Sequence, residues 1–234
     1  MATAQTAPLS PVAELINRTD SSWPLVQAWL STAKNSVEVL PVADRTQAEQ
    51  ALYQTQVTTR SPMGAIVYET GGLLIDSGWI RILGSGHPRL ARSLPGWNLG
   101  KSMAQIGDRA PFLLIADDAV GGFFALNGGA LGADMGKVYY FAPERLAWEP
   151  LHLTYSDFIN FCFTGDLNKF YDGLRWTGWQ REIAQLDGNQ AMAFYPFLWA
   201  EYPSLQQLIR KPVPVSELWT LEQDAVRQLN KPSR

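Results

Sequence analysis

The string Gly96-Trp-Asn-Leu-Gly100-Lys101-Ser102 ends as a phosphate-cradling loop does, with a lysine for a phosphate and a hydroxyl for a metal. Only three residues separate its glycines, where a nest of converging backbone N–H groups needs four. The spacing predicts a surface turn. Gly84-Ser85-Gly86 opens like a dinucleotide fingerprint, but Arg89 stands where the third glycine belongs and Pro88 interrupts the helix that should follow. His87 and His152 are too far apart in sequence to pair locally on a metal. Asp117 and Asp118 are adjacent in a β-favouring run, so their carboxylates should point to opposite faces, and they read as turn formers rather than an acid/base pair. Cys162 falls on an apolar helical stripe, where a buried, inert thiol is expected. No Gly-x-Ser-x-Gly elbow is present. The expectation is therefore no catalytic residue, no metal site and no cofactor.

What remains is a set suited to binding. Trp79, Arg81, Trp97, Arg175, Trp176 and Trp179 lie near glycine-rich turns, and Trp and Arg dominate binding hot spots. The chain has nine tryptophans, a residue large enough to be seldom fully buried, and about a third of them are expected at the surface. Those would form one aromatic face with Arg81 or Arg175 at its rim.

The elements that must position these residues are read from periodicity. Helices are predicted from Ser22 to about Asn35, from Asp44 with Gln47 as a capping-box partner, and from Pro62 to Thr70, the last closed by a left-handed Gly71-Gly72 cap. Val37–Val42 reads as extended. Leu73–Asp76 and Trp79–Leu83 flank Ser77-Gly78 as a hairpin, and Phe112–Ala116, Phe123–Leu126 and Val138–Phe141 follow as an antiparallel meander. No helix of ten or more residues is read between these runs, so the crossovers of a parallel sheet have nowhere to sit. Ser156 should cap a helix through Phe163, and Ser216 another bearing Leu218, Leu221, Ala225 and Leu229 after a Pro212-Val-Pro214 spacer. Arg175–Trp199 stays undecided, with a bias to strand. The fold class is α+β: a central, mostly antiparallel sheet flanked by helices, with an N-terminal helical region and a C-terminal helical extension.

Composition sets the outer limits. Among 234 residues, 46% are hydrophobic and 12% aromatic, enough to build a core. A net charge of −3 with no basic run argues against nucleic acid. The uncharged stretch Ala119–Ala133 is too short and glycine-broken to span a bilayer, so no membrane association is expected. A single cysteine and an N-terminus without Lys, Arg or a long apolar run before Pro11 point to the cytoplasm. Residues 1–20 read as a flexible tail and 21–234 as a single domain.

Ser61-Pro-Met-Gly-Ala-Ile-Val-Tyr-Glu-Thr-Gly-Gly72, followed by Asp76-Ser-Gly-Trp-Ile-Arg-Ile-Leu-Gly-Ser-Gly86, resembles the bacterial family known as domain of unknown function 2625, over most of the chain. More distantly, Phe112–Asp117, Gly121–Leu126, Lys137–Phe141 and the Ser156–Ile159 helix start resemble the Smi/Knr-like (SUKH) superfamily. That resemblance implies helices around an antiparallel sheet, and a superfamily whose bacterial members often act as immunity proteins against polymorphic toxins. No family residue roles carry over. The expected function is a non-catalytic binding protein, of immunity or regulatory type, that masks a partner protein such as a toxin. The alternatives are a small-ligand-binding protein or an enzyme with a dispersed active site.

Overall fold

The computed structural model describes residues 9–229. Its centre is a seven-stranded sheet of β1 (Val37–Leu40), β2 (Gly72–Ile75), β3 (Ile80–Leu83), β4 (Phe112–Asp118), β5 (Phe123–Asn127), β6 (Val138–Ala142) and β7 (Ala147–Pro150). Strand order in space equals order in sequence, and every pair is antiparallel. The β2–β3, β4–β5, β5–β6 and β6–β7 links are short enough for each strand to close onto the one just before it, whereas helices fill the β1–β2 and β3–β4 links. The predicted hairpin and meander are present; β7 was not anticipated.

The sheet is covered on both faces, and the Phe123–Phe124 step shows how. Phe123 stacks on Trp97 of α5 (Leu94–Asn98) and meets Trp219 of α9 (Val215–Leu229) edge-on at 4.8 Å. Phe124 turns the other way, onto Phe158 of α6 (Tyr155–Thr164) at 4.8 Å and Phe170 of α7 (Leu167–Phe170) at 6.2 Å. Two covered faces explain why β6 reads Val-Tyr-Tyr-Phe-Ala and is buried at every position, without the alternation of a one-sided sheet.

The N-terminal helices are α1 (Val12–Leu15), α2 (Trp23–Ser31), α3 (Arg45–Thr55) and α4 (Pro62–Glu69). Leu15 is buried and its carbonyl accepts from Thr59 N, so the tail expected through residue 20 is docked from α1 onward; residues 1–8 lie outside the described residues. Asp44 caps α3 through Thr46 N, but Gln47 does not complete a capping box and instead donates to Ser85 O. The chain leaves α4 through an extended Thr70, and Gly72, at φ +145°, opens β2, so no left-handed cap forms there. Thr154, not Ser156, caps α6, with Asp157 returning to its backbone in a full capping box.

The undecided segment 175–199 holds a helix, α8 (Trp179–Ala184), and a strand, β8 (Gln190–Tyr195). The expected Pro212-Val-Pro214 spacer is part of β9 (Ile209–Pro214), which pairs with β8 in a separate two-stranded sheet. Pro212 and Pro214 stand opposite Met192 and Gln190. Met192 N bonds Ala119 O and Gln190 N bonds Asp187 O, so both prolines occupy ladder positions where no N–H is needed. No helix among the described residues is long and apolar enough to cross a membrane.

Candidate functional site

The aromatic face expected at the surface is inside the protein. Trp79, Trp97, Trp176 and Trp179 are all buried, and each of the nine tryptophans is buried or half-buried. The physical reason is mutual packing. Trp79 at the β2–β3 turn meets Tyr171, Trp176 and Trp179 at centroid distances of 5.3, 5.8 and 4.8 Å. Arg175 caps this cluster, 4.1 Å from the Trp179 ring and 4.8 Å from Trp79, and it is held by Asp76 and Asn168 at 2.6 Å each. Four of the six expected binding residues therefore do come together, as a structural core. Trp97 lies apart, between Phe123 and the Lys101 and Arg92 cations.

Arg81 is also fully buried, and its place is the more informative one. It sits opposite Asp117 across β3 and β4, donates to Asp117 Oδ1 at 3.1 Å and Asp118 O at 2.6 Å, and reaches Gln190 O at 2.5 Å. Arg92 shares Asp117 from the other side and donates to Gly188 O at 2.8 Å. Burial lowers the Arg81 pKa, and the charge of Asp117 works against that loss. Two guanidiniums on one carboxylate thus bind the sheet to the backbone that enters β8.

Asp118, the neighbour, serves the opposite face as the pleat requires. Its Oδ1 accepts from Val120 N and Gly122 N at 3.0 and 2.8 Å, closing the β4–β5 turn, while Tyr140 donates to Oδ2 at 2.8 Å. Burial raises its pKa, opposed by those turn hydrogen bonds. The turn must be glycine: Gly121 has φ +96°, and a Cβ there would lie 2.5 Å from Glu222 Oε1. At Gly122 a Cβ would lie 2.1 Å from Asp118 Oδ2.

Glu222 of α9 is the residue that sequence reasoning missed. It is buried against this turn, and neither of its oxygens has a hydrogen-bond partner among the described residues. Burial, and then the Asp118 charge, push its pKa well above the ordinary carboxylate range. A signal existed: Glu222 lies four residues from Leu218 on the apolar stripe of the last predicted helix. Cys162 is buried as expected, and burial drives its thiol far up, away from reactivity.

The joint carries an open groove. The small sheet packs one face on the aromatic core, with Phe194 against Trp176 at 5.7 Å and Arg210 on Glu182 at 2.7 Å. Its other face and α9 enclose a groove of about 500 Å³ lined by Tyr195, Phe197, Ile209, Val213, Leu218 and Leu221. Ile209 and Val213 share that face because they are even steps apart on β9. Tyr195 and Ile209 are 67% and 69% exposed. Lys211 and Glu217 are the charged groups in its lining. Three or more metal-ligating side chains do not gather anywhere among the described residues.

Comparison with known proteins places the chain among relatives. The Escherichia coli (strain K12) protein YbfG is 50% identical over 209 residues, 89% of this chain and 94% of its own length. A Haemophilus influenzae protein is 46% identical over 185 residues, 79% of this chain and 81% of its own. No solved structure matches significantly. The family model described as protein of unknown function DUF2625 matches residues 12–218, from α1 through the start of α9, and the chain belongs to that family.

Proposed function

We propose that this chain is a non-catalytic cytoplasmic binding protein, of immunity or regulatory type, which masks a partner protein by seating an amphipathic helix of that partner between the β8–β9 sheet and α9. The supporting observation is the groove itself, apolar on both walls and open, with Tyr195 and Ile209 largely exposed. Its chemistry fits one occupant. Lys211 on the sheet wall and Glu217 on the helix wall set opposite charges about an apolar floor, which complements a helix whose apolar stripe is flanked by one acidic and one basic residue. Strand addition is disfavoured at the free edge of β9, since Pro212 and Pro214 offer no N–H there. The Smi/Knr-like kinship belongs to the same proposal, with a polymorphic toxin as the partner class; a run of antiparallel strands, β4 to β7, followed by α6 supports it.

A second reading has one observation in its favour. About 500 Å³ also suits a small molecule, whose pockets run from roughly 300 to 1,000 Å³. One experiment separates the two: affinity capture from the native host with the wild-type chain and with an Ile209→Asp, Leu221→Asp variant as baits, alongside native mass spectrometry of the purified protein. A stoichiometric protein held by the wild type and lost by the variant supports masking. A protein held equally by both, or a bound small molecule without a protein, overturns it.

A further inference from the structure

We propose that the cleft between the Gly100–Lys101 turn and the outer face of α9 binds a phosphate-sized oxyanion. This is independent of the groove. Glu217, Leu218 and Leu221 face the groove, whereas Ser216, Thr220, Gln223, Asp224 and Arg227 line a cleft of about 280 Å³ on another side of the same helix. The volume lies just below the range for drug-sized ligands, which favours a smaller one.

Lys101 is a cation without a counter-charge among the described residues. Lys101 Nζ stands 3.8 Å over the Trp97 ring, and no carboxylate lies within ion-pair distance among the described residues. Arg92 stands 4.7 Å from the same ring. Burial, and then the Arg92 charge, lower the Lys101 pKa, so the ammonium is half-desolvated in a field of its own sign. An anion would relieve both.

Two further donors line the same cleft. Gln223 Nε2 is buried with no partner among the described residues, an unmet hydrogen bond that an oxyanion can accept. Ser216, in the first turn of the fifteen-residue α9, adds a hydroxyl where the helix dipole favours negative charge. Thr220 spends its hydroxyl proton on Ser216 O at 2.9 Å. Asp224 is the one carboxylate among the described residues that line the cleft, and Arg227 pairs with it at 3.0 Å, which leaves the positive charge of Lys101 in excess. The site does not reproduce a phosphate-binding backbone loop: Gly96 lies inside α5, and Ser102 turns inward to Asn98 Oδ1 at 2.7 Å. Side chains would do the binding.

Inorganic phosphate, titrated calorimetrically at fixed ionic strength against a chloride control, should bind saturably and at least tenfold more weakly to Lys101→Met and to Gln223→Leu. Arg89→Ala, remote from the cleft, should bind as the wild type does. Should Lys101→Met fail to fold, the ε-methylene NMR signal of Lys101 in the wild-type protein must shift saturably with phosphate. A parallel titration with glycerol phosphate separates the sources: equal or tighter binding makes the phosphoryl group the head of a larger ligand, and weaker binding makes the ion itself the ligand. Unsaturable binding, equal binding by Lys101→Met, or an unmoved Lys101 signal overturns the proposal.

Discussion

The seven-stranded sheet and the C-terminal unit of β8, β9 and α9 are built from different materials. In the sheet, each strand pairs with its neighbour in sequence, and the space between strand and helix is filled by stacked rings and aliphatic side chains. The C-terminal unit shares in that apolar packing through Phe194 and Trp219, but it is also fastened by polar contacts between residues far apart in the chain: Arg81 to Gln190 O, Arg92 to Gly188 O, and Met192 N to Ala119 O. Apolar packing tolerates substitution of similar volume, whereas a desolvated charge network requires all its members. Buried charge in this protein marks a structural joint, and the apolar surface left open lies on the unit that the joint secures.

The strongest attack on this contrast is Asp117→Ala, which leaves two buried guanidiniums without their carboxylate and should lower unfolding stability by about 4 kcal/mol in urea titration. A loss below about 1 kcal/mol would mean that the triad is not the fastening. Trp179→Ala should cost about 3 kcal/mol, as expected of a packed core ring and not of a surface anchor. Had the indole been a binding residue at the surface, the melting temperature would hardly move.

Glu222 works in the opposite direction. Its carboxyl keeps a proton in the folded state that the unfolded chain releases, so stability is fully present below the ordinary value of 4.5 and declines as pH rises above it. Glu222→Met should raise stability at neutral pH by about 1–2 kcal/mol, because an unpartnered buried acid is exchanged for an apolar side chain of similar reach. Glu222→Gln should flatten the decline between acid and neutral pH; an unchanged profile would place the titration elsewhere. The smallest effect is expected from Arg89→Ala at the exposed Glu38 pair, within about 0.5 kcal/mol by the same titration. A surface pair worth as much as the triad would erase the distinction.

Much of the fold was legible where local chemistry decides it. Ser77-Gly78 and Gly121-Gly122 announce turns because Gly78 and Gly121 take positive φ, which few other residues accept, and the β-favouring runs around them suit a meander. Less could be read where a distant partner decides. Pro212 and Pro214 argue against a strand until β8 is known to present no acceptor to them, and the six residues of α8 are too few to show a period. The candidate site was the least legible part. Composition shows nine tryptophans, but their placement depends on α8 folding back over the β2–β3 turn, which brings residues 176 and 179 onto Trp79. Asp117 and Asp118 do face opposite ways, but only Asp118 forms a turn; Asp117 is a buried ion-pair partner, and nothing near them in sequence names Arg92 or Glu222 as their neighbours.

The consecutive order of the meander also has a kinetic meaning. The β2–β3, β4–β5 and β6–β7 hairpins close small loops and can form early, while the Arg81–Gln190 contact spans 109 positions. During synthesis the sheet strands emerge well before β8, β9 and α9, so hairpin after hairpin can assemble while Arg81 and Asp117 wait for the carbonyls they will hold. The groove is then the latest feature to mature, and a nascent chain with a complete sheet would still lack it.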